Sequence, residues 1–516
     1  MALRWSTNWQ SALSEIRRGA LLSYATILAA NLSGLLLTPF IIRALGSAEY
    51  GLYVLIGSLA AYLGVLDFGL NNAVTRYVAQ CAARNDREQE AKFLGAAVVV
   101  NALAAAAIIV LGTFFYANID AWFAETLETP AQERARIMLL LLTVNVVMTI
   151  SSSMFTAICA GHERFTFPKT VNLVRYLIRI GLVFAILVAG GGAVALVALD
   201  TALALVVLVV NGFYALRSIG ARIDFRPLNP QLVRSVLTFS TWVFLYAVIG
   251  QVQWQGGQLI IGASVGVEAV AIYGIGIMFG GYYAAFSSAI TNLFLARATY
   301  MTVANVDSGT YSAEMARIGR MALLALLLIL GGFALYGREF ILLWAGPEYV
   351  AAWCVAIVIM LAYTVPLIQT FAHQLLEAKG LIAFKAKIHL VALPMGVFVG
   401  YLLLPLWGVA GMAIGMAVGW IIATIIMNVY YQEALGVDIL GFFAKVSKGI
   451  VPAFAVCLVA GALLNLLSMD GWGGLLLRMF AFGAVYMLLM YRFGMNESER
   501  QQVTSTVRQL RLRRAS

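Results

Sequence analysis

Two arginines, Arg175 and Arg179, stand one helical turn apart inside the apolar run VNLVRYLIRIGLVF. On a helix that spacing places both guanidinium groups on one face. A guanidinium donates two parallel hydrogen bonds to a carboxylate or a phosphate, so the pair suits the holding of an anion. Arg43, Arg76 and Arg297 are further cationic candidates, each at the end of an apolar stretch. Two carboxylates are embedded in apolar sequence, Asp67 in LGVLDFG and Asp200 in LVALDTALAL. An ionisable group in such a setting is costly, which makes both candidates for coupling to a proton or a sodium ion. Blander readings compete. The arginines also fit snorkelling, orientation-setting charges, Asp200 fits a structural carboxylate paired with a nearby arginine, and Asp67 fits a cap where Gly69, Asn71 and Asn72 break a helix.

A second polar set lies in one stretch with Gln251, Gln253, Gln255 and Gln258, where Gly250, Gly256 and Gly257 interrupt the apolar pattern. Gln251, Gln255 and Gln258 fall on roughly one helix face, and the Trp254 indole is able to stack on a sugar ring. The expectation is a flexible cavity wall, with interhelical hydrogen bonding as the alternative. His373 and Gln369, one turn apart beyond Pro366, are cavity candidates too, against a satisfied structural histidine. Cys81, Cys159, Cys354 and Cys457 are scattered in apolar surroundings without metal or disulfide spacing, so they read as packing residues. No metal site and no catalytic set is expected.

The elements that carry these residues are membrane helices. Of 516 residues 62% are hydrophobic and 11% charged, too apolar for a water-soluble fold. A span needs about 20 apolar residues, and continuous runs of that length mean helices, since lipid satisfies no backbone group. Fourteen windows qualify, near 19–44, 49–80, 92–116, 136–160, 170–189, 192–216, 233–262, 267–295, 319–337, 350–377, 384–404, 407–431, 446–467 and 474–493. Met1–Arg18 has Trp5, Trp9, Arg17 and Arg18 but no apolar core before a small-residue cleavage site, so an interfacial segment is expected.

Charge tests the count. With a cytoplasmic amino terminus, alternate segments hold 29 of the 34 Lys and Arg, and the other face keeps only Arg43, Arg134, Arg136, Arg338 and Arg478. That bias predicts both termini in the cytoplasm. The net charge of +10 is thus a topology signal and calls for no nucleic acid. Arg508, Arg511, Arg513 and Arg514 are placed against anionic lipid heads.

The two halves are faintly similar at an offset of 220, where Ile41, Gly46, Tyr53, Tyr62 and Asn72 match Ile261, Gly266, Tyr273, Tyr282 and Asn292. A related alignment sets Lys169 beside Lys387. Matching odd helices to odd helices makes the halves parallel repeats about an axis along the membrane normal. The expected plan is all-α: an interfacial segment 1–18, a lobe of six helices over 19–216, a linker 217–232, a second six-helix lobe over 233–431, two extra helices within 432–493, and a basic tail 494–516.

The stretch LLLTPFIIRALGSAEYGLYVLIGSLAAYLGVLDFGLNNAVTRYVA, Leu35 to Ala79, carries an apolar helix ending in Pro and Arg, a Gly46-to-Gly51 turn, and Asp67-x-Gly69 ahead of Arg76. It resembles the opening of the polysaccharide transporter family of the multidrug/oligosaccharidyl-lipid/polysaccharide exporter superfamily. That resemblance implies a flippase of the bacterial inner membrane that moves a polyprenyl-pyrophosphate-linked oligosaccharide to the outer leaflet by alternating access. It further implies membrane lipids, a polysaccharide polymerase and glycosyltransferases as partners, and no cofactor beyond a proton or sodium gradient. Arg76, Arg175, Arg179, Arg297 and Arg43 would then face pyrophosphate. A lipid II flippase and a multidrug or cation antiporter share the fold and are the alternatives. A membrane glycosyltransferase or polymerase is disfavoured, because the expected outer loop Ala117–Ala135 lacks histidine and the chain has no Asp-x-Asp pair.

Overall fold

The computed structural model describes residues 22, 25–26, 28–67, 70–225, 230–291, 294–304, 306–466, 469–501 and 504–505, with side chains at all of these except 230–246, 288–291, 295–296 and 382. The expected interfacial segment Met1–Arg18 and the tail arginines Arg508, Arg511, Arg513 and Arg514 lie outside the described residues. Two compact units divide the chain, Met1–Ala271 and Ile272–Ser516. Among the described residues there is no strand.

The first unit begins with α1 (Leu28–Leu45) and α2 (Ser47–Gly64). Gly46 between them has φ +80°, a backbone region that favours glycine. Gly51 serves a close approach: a Cβ there would lie 1.9 Å from the Val267 carbonyl oxygen. A 3-10 turn, Val65–Asp67, ends α2 before α3 (Leu70–Arg84), so the second span is broken at Asp67. Then follow α4 (Arg87–Phe123), α5 (Thr129–Gly161), α6 (Thr166–Val188), α7 (Ala193–Phe213) and α8 (Pro230–Ser264). The outer loop expected over Ala117–Ala135 is mostly helix. Only Ala124–Glu128 separates α4 from α5, because Pro130 starts α5 early and Arg136 pairs with Asp120 across the two helices. The glycines of the seventh span do not break α8. Gly256 and Gly257 are buried within it, and Gly262 lets Leu55 approach its backbone, so the small residues serve packing.

α9 (Val267–Thr291) leads into the second unit, which continues with α10 (Leu295–Val303), α11 (Ser308–Trp344), α12 (Ala351–Ile368) and α13 (Thr370–Ala378). Next comes a 54-residue helical run, α14 (Ile382–Leu435). As one straight helix it would extend about 80 Å, far more than a bilayer core of about 30 Å. It is two spans, parted at Gly408, whose φ of 57° and ψ of −142° are not helical. The two segments cross through glycine: a Cβ on Gly415 would lie 2.1 Å from the Gly400 nitrogen, and one on Gly419 2.7 Å from the Ala392 oxygen. Such small-residue seams let membrane helices meet backbone to backbone.

The chain ends with α15 (Ile439–Ser447), bent 41° from α16 (Ile450–Leu464), and α17 (Gly471–Leu489). Among the described residues, counting the broken second span once, α9 with the short α10 once, α12 with α13 once, α14 twice and the bent pair once gives fourteen membrane crossings, as the hydropathy windows require. Arg320 of α11 fills the bend. Its Nη1 donates to the Lys445 and Lys448 carbonyls at 2.8 and 2.9 Å, and its Nε and Nη2 hold Glu499 at 2.7 and 3.0 Å. Carbonyls left without helical partners by the break are thereby satisfied. At the far end of α11, Arg478 of α17 holds Glu339 at 2.6 Å. The last two helices are therefore fastened to α11 near both its ends.

A leucine at Gly415 has no room against the Gly400 backbone, so Gly415→Leu should destabilise the second unit by about 2 kcal/mol or more. The check is the Tm of the purified protein in detergent. An unchanged Tm would contradict the glycine seam.

Candidate functional site

The site is built outward from a glutamate in the Gly46–Gly51 turn. Glu49 Oε1 accepts the backbone N–H of Ala193, the first residue of α7, at 2.8 Å. Its Oε2 lies 3.7 Å from Arg134 at the start of α5. A carboxylate at a helix amino terminus satisfies an orphan N–H and favours the helix dipole, so α7 is pinned to α2. Tyr53, one turn along α2 on the same face, is thereby brought toward the middle of α7. Along its other side α7 bonds to α5, with Thr201 Oγ1 donating to the Leu141 carbonyl at 3.2 Å and Asn211 to Ser152 at 3.2 Å.

α6 carries the two arginines. It tolerates Pro168 because proline fits the first helical turn, it stops at Ala189–Gly190, where Gly190 takes φ +82°, and it stacks Phe184 on Phe40 of α1 at 4.9 Å. Arg179 and Asp200 meet side on: Nε to Oδ1 is 2.5 Å and Nη2 to Oδ2 is 2.9 Å. Tyr53 joins them, with its hydroxyl 3.5 Å from Nη2. The two charged side chains are 21% and 25% exposed. The pair sits about 10–13 Å inside the nearer helix ends, counting 1.5 Å per residue from Ala193 to Asp200 and from Arg179 to Val188. This is membrane depth, and a neutral, bidentate pair is the arrangement that membrane depth favours.

Arg175, one turn further from that end, lies over the Tyr176 ring at 5.0 Å, and its buried Nε has no hydrogen-bond partner. A cation held by a ring face keeps much of its donor capacity. The two arginines thus differ. Arg179 is engaged by a carboxylate, whereas Arg175 has none paired with it among the described residues.

The remaining candidates are dispersed. Arg76 is exposed on α3 and Arg43 is exposed near the end of α1. Arg297 is exposed and lies 3.4 Å from Glu314, which Arg317 also holds through two hydrogen bonds. Asp67 ends the 3-10 turn. On α8, Gln251, Trp254 and Gln255 are half-buried, whereas Gln258 is buried with an Oε1 that has no hydrogen-bond partner. In the second unit His373 Nδ1 lies 3.4 Å from Lys385 Nζ, its ring stands 5.7 Å from Tyr431, and Gln369 donates to Asn428 at 2.7 Å. Among the described residues, no group of three or more His, Cys, Asp or Glu is placed to hold a metal ion.

Sequence reasoning missed Glu49, Arg134, Tyr53 and Lys385 as parts of these sites. It also missed buried Glu90, which takes His162 Nε2 at 2.8 Å and Arg87 at 3.3 Å. For Tyr53 a signal existed, since it is one of the residues matched between the repeats. For Glu49 and Arg134, and for Glu90 with His162, the partners are too far apart in sequence to be paired by spacing.

The fold is that of transporters of the MOP superfamily. A solved structure described as lipid II flippase MurJ, inward closed conformation, superimposes with a TM-score of 0.71 at 14% identity, covering 92% of this chain and 99% of that one. A multidrug resistance MATE family transporter, inward-facing, gives 0.57 at 14% identity, over 82% of this chain and 98% of that one. A variant of the Vibrio cholerae MATE transporter VcmN gives 0.56 at 15% identity, over 84% of this chain and 100% of that one. The family model described as polysaccharide biosynthesis protein matches residues 16–291. The chain belongs to that family. Among curated proteins it is 22% identical over 327 residues to the uncharacterized membrane protein EpsK of Bacillus subtilis (strain 168), a match that covers 61% of this chain and 62% of that relative's length.

Removing one partner of the Arg179–Asp200 pair strands a charge at membrane depth, so Arg179→Gln and Asp200→Asn should each cost about 3 kcal/mol. The double variant should recover part of that loss, with a coupling energy of about 2 kcal/mol. A double-mutant cycle on the Tm in nanodiscs reads this, and strict additivity would mean that the side chains do not pair.

Proposed function

We propose that the chain is a flippase for polyprenyl-pyrophosphate-linked oligosaccharide, carrying it from the cytoplasmic to the outer leaflet by alternating access during surface polysaccharide synthesis. The observation that carries this reading is the arginine face of α6. Arg175 and Arg179 present cationic forks at membrane depth, where a doubly charged pyrophosphate needs compensation and a water-soluble substrate would not need so apolar a surround. Membership in the polysaccharide biosynthesis family supports the substrate class.

In this reading Arg175 makes first contact with the pyrophosphate, because no carboxylate competes for it. Gln251, Gln255 and Trp254 serve the sugar with hydrogen bonds and a stacking face. Arg43 and Arg297, exposed near helix ends, and Arg76, exposed on α3, attract the head group toward the membrane surfaces, and His373 and Asp67 are secondary polar contacts. The polyprenyl tail stays in lipid throughout. Asp200 links the site to a proton or sodium ion. The protein lies in the bacterial inner membrane with both termini in the cytoplasm, beside the glycosyltransferases that make the substrate and the polymerase that uses it. A second reading, a lipid II flippase, draws on the MurJ-like fold and needs the same pyrophosphate chemistry with a different sugar.

Translocation of a labelled polyprenyl-pyrophosphate oligosaccharide in proteoliposomes, scored by access of an external glycosidase, tests the activity. Protein-dependent exposure of the label is expected, reduced at least tenfold in Arg175→Gln/Arg179→Gln, a loss of about 1.4 kcal/mol in transition-state stabilisation. Efflux of an organic cation with no lipid movement would replace this function by the antiporter. Orientation has its own check: a carboxy-terminal fluorescent protein should be bright and a carboxy-terminal alkaline phosphatase inactive.

A further inference from the structure

The donors gathered around Asp200 outnumber the acceptors. Arg179 spends Nε and one hydrogen of Nη2 on the two Asp200 oxygens, at 2.5 and 2.9 Å. That is one edge of a planar fork which carries five N–H groups. Nη1 makes no hydrogen bond to any described residue, so the Nη1/Nη2 edge stays open beside an intact ion pair. Arg175, one turn away, rests on the Tyr176 ring and makes no hydrogen bond among the described residues either.

Tyr53 stands at that open edge. Its hydroxyl lies 3.5 Å from Nη2, near the outer limit of a hydrogen bond. Asp200 takes the Nη2 hydrogen that faces Nε, so the contact with Tyr53 falls to the hydrogen on the Nη1 side. Here the Tyr53 oxygen accepts, and the hydroxyl's own proton has no acceptor among the described residues. The level is right as well. α2 starts at Ser47 and α7 at Ala193, and Glu49 ties the two starts together. Tyr53 and Asp200 lie about 9 and 10 Å along their helices from there. Polar donors left without acceptors at membrane depth are costly. Several of them on adjoining side chains, with cationic forks among them, make a seat for an oxyanion.

We propose, resting on the pyrophosphate reading of this site, that Tyr53 is a further substrate-contacting residue: a phosphate oxygen seats at the Nη1/Nη2 edge of Arg179 and accepts the Tyr53 hydroxyl, while Asp200 keeps the other edge. Arg175 brings a second guanidinium to the same head group. Two guanidinium groups and one carboxylate leave a net positive charge for the diester. The Tyr53 oxygen gives up its long contact with Nη2 and turns its proton toward the phosphate. No charged group has to move, no proton is transferred and no bond to phosphorus changes. A hydroxyl that donates to an ionised oxygen forms a charge-assisted bond, and a fork already braced by Asp200 needs little further ordering. The repeat supplies a natural comparison. Tyr273, matched to Tyr53, is buried with a hydroxyl that has no hydrogen-bond partner.

The test is isothermal titration of the full-length protein in zwitterionic nanodiscs with a short-chain prenyl-pyrophosphoryl monosaccharide, and with the matching prenyl alcohol as a phosphate-free control. Tyr53→Phe removes only the hydroxyl. It should weaken the pyrophosphate ligand about tenfold and leave both the prenyl alcohol and the Tm unchanged. A hydroxyl that merely braced the helices would instead move the Tm or both ligands, and that result would overturn the proposal. Tyr273→Phe should bind like the wild type, and an equal loss there would count against Tyr53 as a specific contact. Phosphatidylglycerol added to the nanodiscs should not compete, since complete competition would give the seat to an ordinary anionic lipid. Unchanged pyrophosphate binding in Tyr53→Phe would overturn the contact and leave the substrate reading intact. Absence of binding by the wild type would sink the substrate reading, and the contact with it. Should Tyr53→Phe fail to fold, fluorotyrosine at position 53 of the otherwise unchanged protein decides. Its fluorine resonance should shift with the pyrophosphate ligand and stay put with the prenyl alcohol, and a resonance indifferent to both would end the proposal.

Discussion

A charge at membrane depth is costly unless it is compensated, and much of this structure's polar architecture follows from that constraint. Three arginines within the helices are each matched by a carboxylate: Arg179 by Asp200, Arg320 by Glu499 and Arg478 by Glu339. The last two are largely buried and also hold backbone carbonyls, Arg320 those of Lys445, Lys448 and Gly494, and Arg478 those of Gly474 and Met469. With five or more acceptors around a guanidinium, its donors are used up, and the pair is structural. Arg179 is different. Its partners are one carboxylate and one phenol, and a fifth to a quarter of the pair remains exposed. Among the three pairs it is the one that an incoming anion has room to disturb.

The two repeats use different physics to join equivalent helices. In the alignment that sets Lys169 beside Lys387, Arg175 falls on Leu393, Arg179 on Val397 and Asp200 on Val418. The first unit joins its fifth and sixth spans through the ion pair, whereas the second joins its eleventh and twelfth through Gly396, Gly400, Gly415 and Gly419. A glycine seam is held by many short backbone contacts and has one good register. An ion pair is two or three directional bonds, which a competing ligand can exchange. Tyrosine follows the same division. Tyr53 reaches Arg179, but its repeat partner Tyr273 is buried with a hydroxyl that has no hydrogen-bond partner. At these equivalent positions one copy of the repeat has the ion pair and the other has glycine packing.

How much of this was legible in the sequence depended on the range of the interaction. Spans were legible because hydropathy is a local property, and the broken second span was announced by Asp67, Gly69 and two asparagines. Arg175, Arg179 and Asp200 were found because a charge inside an apolar run is visible by itself. Their pairing was not fixed by spacing: one helical turn between the arginines says nothing about which of them faces a residue 21 positions onward. Helix length beyond the membrane was also hidden, since α4 and α5 run on through polar sequence that reads as loop. Continuity of α8 was missed for the opposite reason, because glycine weakens a helix in water yet in a membrane marks the places where helices approach closely.

The Gly46–Gly51 turn shows why a short motif can matter to a site that it does not enter. Gly46 supplies the backbone reversal, Gly51 admits the Val267 carbonyl, and Glu49 between them caps α7. The cap sets how far along its axis α7 lies relative to α2, and Asp200 is carried on α7 as Tyr53 is on α2. A shift of one residue along a helix moves a side chain by about 1.5 Å and turns it by about 100°, enough to take Asp200 out of reach of Arg179. The turn therefore governs the ionic site through helix register. Any movement that separated Glu49 from Ala193 would loosen the ion pair without touching either charge.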